Sequence, residues 1–175
     1  MTTENFGERN IHITQFTQWK SFIPHNSRMP FDDFLHQFTE LAICRLINTS
    51  LFSFSKTWTE KQVTGEWNSS SKRAGGCLNH PETFLLNPQY RFDISKEDDA
   101  VIIQLSQSDV RELGQQKKEL LVIGFHIMRV EENRRYRLHR IQSPQVTSDY
   151  IKTKHIFLKA TLPKGRFVLI PTTFR

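Results

Sequence analysis

The stretch YRFDISKEDDAVIIQL, residues 90–105, decides the fold class. Tyr90, Phe92 and Ile94 alternate with Gln89, Arg91 and Asp93; after a polar break, Val101, Ile103 and Leu105 alternate with Gln104 and Ser106. A period of two puts every second side chain on one face of an extended chain, so each run predicts a strand with one face toward a core. The device recurs downstream. Leu121, Ile123, Phe125 and Ile127 share one side of a third run, and Tyr136 with Leu138, then Ile156, Leu158, Ala160 and Leu162, repeat it. The stretch from Arg166 to Thr172 is apolar on both faces, as a central strand requires. Polar segments at 68–76, 95–99, 107–119 and 143–149 separate the runs, and Gly75 and Gly76 can take positive φ without a Cβ clash. Several short strands joined by turn-rich loops predict a mainly β chain built as an antiparallel β-sandwich. Without long helices to cover a parallel sheet, the α/β layouts fall away.

Upstream the period is 3.6. Phe31, Phe34, Leu35, Phe38, Leu41 and Ala42 fall on one stripe of an α-helix, with Pro30 suited to its first turn and Asp32 and Asp33 to the positive end of its dipole. This predicts one α-helix ahead of the sandwich. Residues 1–28 show no sustained period, although Phe16, Trp19, Phe22 and Ile23 could form a short apolar face, and they read as a loosely ordered lead-in. The chain thus divides into a lead-in at 1–28, a helix and linker at 29–55, and a sandwich at 56–175.

At 175 residues the chain fits one main domain. Hydrophobic residues at 37% and charged residues at 24% suit a soluble globular protein. No run approaches the roughly 18 apolar residues that cross a bilayer. MTTENFGERN carries no readable secretory signal, and two cysteines, Cys44 and Cys77, are too few for a disulfide framework, so a reducing, cytoplasmic setting is expected. The net charge of +6 is unevenly spread: from residue 134 onward ten Arg and Lys face the single acid Asp149, a local +9 that leaves the rest near −3. Such a basic third is either an electrostatic footprint for an anionic surface or a solvated face.

Cys77, His80 and Asn87 are the residue types of a cysteine protease. A gap of three residues between Cys77 and His80, at a turn entering a strand, does not aim both side chains at one reacting atom. A packed thiol beside a hydrogen-bonded turn histidine is the plainer reading, with Asn87-Pro88 as the entry to a strand. Cys77 and His80 also offer two zinc ligands at an allowed spacing, but the remaining histidines are scattered. Glu97, Asp98 and Asp99 place three carboxylates in one turn, where hard-cation ligands of a calcium-binding sandwich would sit; calcium needs six to eight oxygens, and three consecutive acids otherwise make a solvated turn. The run Arg134-Arg135-Tyr136-Arg137-Leu138-His139-Arg140, read as a strand, puts Arg135, Arg137 and His139 on one face and Tyr136 and Leu138 on the other. That strip binds phosphates or pairs with Glu131 and Glu132.

Trp58, Gly65-Glu66-Trp67, the run from Ala74-Gly75-Gly76-Cys77-Leu78-Asn79-His80 to Phe84, and Asn87-Pro88-Gln89-Tyr90 resemble the start of calpain domain III, a C2-like module. Ile123-Gly124-Phe125, Val130-Glu131-Glu132-Asn133-Arg134, Tyr150-Ile151 and the run Gly165 to Phe174 resemble the same domain in order, while Met29 to Phe38, Cys44 and 47–50 resemble the helix closing the protease core. The wording after Val130 is most similar to the calpains without EF-hands, the branch that includes calpains five and six. The resemblance implies that the catalytic Cys, His and Asn belong to a core upstream, so that Trp67, Gly75, Gly76, Cys77, Asn79, His80, Asn87 and Pro88 are structural positions. It implies further that the chain is a regulatory domain of an intracellular, calcium-regulated cysteine protease. As such it would position the protease core and contact anionic phospholipid or protein partners, at times as a peripheral membrane protein. Calcium is the one cofactor it suggests, at Glu97, Asp98 and Asp99. Two features depart from the family: the acidic loop is reduced to those three residues, and the chain stops after Phe174 where a last strand is expected, leaving an edge prone to association.

Arg134, Arg135, Arg137, Arg140, Lys152 and Lys154 are accordingly the candidate contact residues. Two other readings remain open at this point. One is a fragment of an active cysteine endopeptidase whose core lies upstream; the other is a generic anion-binding sandwich, although no motif for specific nucleic-acid recognition is present.

Overall fold

Strand pairing organises the computed structural model, which describes residues 10–16, 30–37, 58–108 and 119–174. Among them one sheet contains β1 (Asn10–Phe16), β2 (Lys61–Glu66), β4 (Asp99–Gln107) and β8 (His155–Leu162), in the order β2-β1-β4-β8. The other contains β3 (Tyr90–Ile94), β9 (Gly165–Thr173), β5 (Val122–Arg129) and β6 (Pro144–Thr147), in the order β3-β9-β5-β6, with the two-residue β7 (Ile151–Lys152) also on β5. Every pairing is antiparallel. The helices are α1 (Phe31–Gln37) and the single turn α2 (Pro81–Phe84).

The alternation in the sequence is what closes the interior. Val101, Ile103 and Leu105 of β4 stand opposite Ala160, Leu158 and Ile156 of β8, so same-face apolar residues meet across the ladder. They pack with Ile94, Ile123, Phe125, Ile127, Phe167 and Leu169 of the second sheet into one core, as a sandwich of antiparallel sheets requires. Trp67, 2% exposed, ties the two layers: it follows β2 in one sheet, and its indole N–H donates to the Pro171 carbonyl of β9 in the other at 3.1 Å. The central strand β9 is buried on both faces. Phe167 and Leu169 enter the core between the sheets, whereas Val168 and Ile170 join Phe84, Met128, Val130 and Leu138 in a second cluster on the outer side. Each such side chain contributes roughly 1.5–3 kcal/mol on burial.

Three departures from the sequence reading have physical causes. The segment expected as lead-in supplies β1, which makes six register pairs with β2 and six with β4 and so lies inside the sheet. Only Ile11 and Ile13 alternate there, too short a signal to read; register supplies the rest, setting Ile13 opposite both Val63 and Leu105. The segment 143–149, expected as a polar crossing, contains β6. It pairs on the β5 side with a register shift at Ile127/Met128, and an edge is where a strand tolerates a residue such as Pro144. The run 134–140, expected as a strand, is irregular: Leu138 is buried at 1%, but Tyr136 is 72% exposed instead of sharing the core. The helix is found after Pro30 with Asp32 and Asp33 in its first turn, while Phe38, Leu41, Ala42 and Cys44 lie outside the described residues.

Candidate functional site

The segment 74–88 lies against the outer face of the second sheet, and its polar residues hold it there. Asn87, 2% exposed, accepts from the Gly75 N–H at 3.0 Å and donates its amide to the Gly76 carbonyl at 2.7 Å and the Phe84 carbonyl at 2.9 Å. Thr83 adds a hydroxyl bond to the Gly75 carbonyl at 2.7 Å. Gly75 has to be glycine, because a Cβ there would lie 2.1 Å from the Thr83 carbonyl oxygen, and Gly76 takes φ +73. Cys77 is buried and its Sγ donates to the Phe174 carbonyl at 3.2 Å. His80 is exposed at the head of α2, where its carbonyl accepts from Thr83 and Phe84; Asn79 is exposed in the turn before it, and Pro88 is buried. Thiol and amide are thus both committed to backbone groups.

The basic loop 131–140 begins where β5 ends, and it is fixed through its backbone. Arg91 donates to the Arg135 carbonyl at 3.1 Å, Arg166 to the Arg134 carbonyl at 3.4 Å, and Gln89 accepts from the Leu138 N–H at 2.8 Å. Glu131 is used inside the loop: its carbonyl takes the Arg134 N–H at 2.9 Å and its carboxylate the Arg140 N–H at 3.3 Å. Leu138 plugs the outer cluster with Phe84, Val168 and Ile170. Arg137 is occupied as well, its guanidinium on the Leu85 carbonyl at 2.8 Å. The side chains of Arg134, Arg135 and Arg140 are exposed on this pinned backbone. Below them Asp93 lies between Arg166 at 3.0 Å and Arg91 at 3.4 Å. These pairs are solvent-exposed and contribute little to stability.

Not every expected cation joins this patch. Lys152 pairs across from Val122 at the start of β5 and binds Glu119 at 2.8 Å; the loop leaves the other end, after Arg129. Eight residues of strand separate the two ends by roughly 24 Å. Contact with Lys152 draws the Glu119 carboxyl below the usual carboxylate range, first through the hydrogen bond and then through charge. Lys154 is exposed next to β7, at that same far end.

The acidic turn does lie at the arginine end, since Ile94 pairs with Gly165 and the Glu97 carboxylate accepts the Lys164 N–H at 3.4 Å. Glu97 and Asp98 are exposed, Asp98 takes φ +50, and Asp99 opens β4. Among the described residues no group of three or more His, Cys, Asp or Glu side chains is gathered so as to hold a metal ion.

A buried polar chain escaped the sequence reading. His126, 2% exposed, sits on the face of β5 away from Phe125 and Ile127. Its Nδ1 meets the Thr147 hydroxyl at 3.1 Å and its Nε2 the Tyr150 hydroxyl at 2.9 Å, which in turn meets the Thr172 hydroxyl at 2.5 Å. Burial pushes the His126 pKa down to about 4 and, as the largest effect, the Tyr150 pKa up to about 12. Tyr150 lies flat against Gly124, where a Cβ would come within 2.9 Å of its ring. The periodicity of β5 gave no hint, because a histidine on the second face of a strand reads as a solvent-facing residue.

The two-sheet antiparallel sandwich, with its central strand buried on both faces, has the architecture of a C2-like module. Residues 63–175 match the family model for calpain large subunit, domain III. The chain belongs to the calpain family. It is 46% identical over 151 residues to calpain-5 of Mus musculus and 45% identical over 151 residues to calpain-5 of Rattus norvegicus. It is also 43% identical over 154 residues to calpain-5 of Caenorhabditis elegans; each match covers 83% of this chain and 24% of the relative. The chain therefore spans about a quarter of the length of these curated relatives. No helix of the described residues is long and apolar enough to cross a membrane.

Proposed function

We propose that this domain is the regulatory, C2-like part of a calpain-type intracellular cysteine protease, acting from the cytoplasm. It holds the protease core in position and meets anionic phospholipid at the membrane surface through loop 131–140. The observation that carries the reading is the display of Arg134, Arg135 and Arg140 on a loop whose carbonyls are gripped by Arg91 and Arg166. A contact surface of this kind loses little order on binding, because its backbone is already fixed. Peptide-bond cleavage is assigned to residues outside this chain. Lys152 and Lys154 form a separate basic site and do not extend the patch.

Co-sedimentation with phosphatidylserine-containing vesicles, against phosphatidylcholine alone, tests the reading. A cation near an anionic leaflet is worth about 1 kcal/mol, so Arg134→Glu with Arg135→Glu weakens binding by at least about thirtyfold. Equal affinity in wild type and double variant removes the loop from the account. Binding to duplex DNA instead, falling steeply with salt, supports the generic anion-binding sandwich.

A further inference from the structure

Between β2 and β3, the outermost strands on one side of their sheets among the described residues, lies a cavity of about 300 Å³. Val63, Phe92, Ile103 and Leu169 line it, so its floor reaches the apolar core between the sheets. Lys61 and Arg91 line it too, together with Tyr136, which is 72% exposed and has the Arg91 guanidinium 5.4 Å from its ring centroid. A cavity with an apolar floor and cations among its lining fits a ligand that is greasy along its length and negative at one end. Its size decides how many chains enter, since about 300 Å³ is the low end for small-molecule pockets and suits one chain.

Tyr90 lines the cavity, and its hydroxyl, buried against Gly65, has no hydrogen-bond partner among the described residues. That hydroxyl is closed off from solvent, so the charges that the cavity offers a ligand are those of Lys61 and Arg91.

We propose that this cleft is a binding site for a single-chain amphipathic anion, its acyl chain on Val63, Phe92, Ile103 and Leu169 and its acidic head toward Lys61 and Arg91. The site deepens the membrane-surface reading, yet it rests on the cavity, whose walls do not include Arg134 or Arg135. The two ideas can therefore fail separately.

Isothermal titration of the full chain with dodecanoate, dodecyl phosphate and the neutral dodecyl maltoside, all below their micellar concentrations, tests it. The expected result is saturable one-to-one binding of the anions and at least tenfold weaker binding of the maltoside; the tighter of the two anions identifies the head group. Val63→Trp fills the cavity and Lys61→Glu reverses an exposed charge, and each lowers anion affinity tenfold or more. Lys61 being exposed, the second variant keeps the test valid should the first disturb folding. Arg134→Glu with Arg135→Glu leaves dodecanoate affinity within twofold even as vesicle binding falls. Absence of anion binding at millimolar concentration, equal binding of the maltoside, or unchanged affinity in folded Lys61→Glu overturns the site.

Discussion

Replacing Asn87 by alanine removes three hydrogen bonds at once and separates scaffolding from catalysis in the Cys-His-Asn segment. The Gly75 N–H and the Gly76 and Phe84 carbonyls lose their partner, in surroundings where Gly75, Gly76 and Phe84 are all buried. A buried polar group left unpaired costs about 1–3 kcal/mol, and relaxation recovers part of it, so the loss is about 3–5 kcal/mol. Set against a typical total of about 5–15 kcal/mol, that is a large fraction of the fold's stability. Urea unfolding followed by tryptophan fluorescence measures it as a lower midpoint at unchanged slope. His80→Ala, at an exposed position, changes stability by no more than about 0.5 kcal/mol. Asn87→Asp keeps an acceptor for Gly75 but turns a negative charge on two carbonyls, so it is no milder than alanine. A cost below about 1 kcal/mol for Asn87→Ala, or a larger one for His80→Ala, refutes the assignment of this segment as a buried clamp.

Acid is a second perturbation. The folded pKa of His126 is depressed from 6.5 to about 4, so its stabilising effect is fully present above about pH 6.5 and fades as the pH falls to about 4. The loss across that window is about 2–3 kcal/mol, followed as urea midpoints at pH 7.5, 5.5 and 4.5; His126→Gln flattens that part of the profile. Leu138→Ala withdraws the plug that seats the arginine loop and costs about 2–4 kcal/mol in the same assay, with a parallel loss of vesicle affinity although no charge has changed.

How much of this was legible in the sequence depended on whether a residue's role shows in its period. The strands β3, β4, β5, β8 and β9 were readable because their apolar residues fill one face, or in β9 both faces, of an extended run. The strands β1 and β6 were not, because pairing with neighbours distant in the chain makes them strands while their composition is mixed. The error at 134–140 has the same root. Alternating Arg and apolar residues look like a strand, but Leu138 alone is buried there, and side-chain bonds from Arg91, Arg166 and Gln89, remote in sequence, shape the rest. Gly75, Cys77 and Asn87 stood out in the sequence through spacing and the family motif, whereas the bonds each makes to distant backbone groups are visible only in the fold. The His126–Tyr150–Thr172 chain had no signature, since its members belong to three separate segments. The cavity between β2 and β3 was equally hidden, because it exists only where the edges of two sheets lie side by side.

The central claim, that the pinned arginine loop is the surface that meets an anionic membrane, is tested most directly by hydrogen exchange with phosphatidylserine vesicles present and absent. The account predicts slower exchange at amides 131–140 and no change at 151–155, the basic site at the far end of β5. Protection at 151–155 with loop 131–140 unaffected would contradict it.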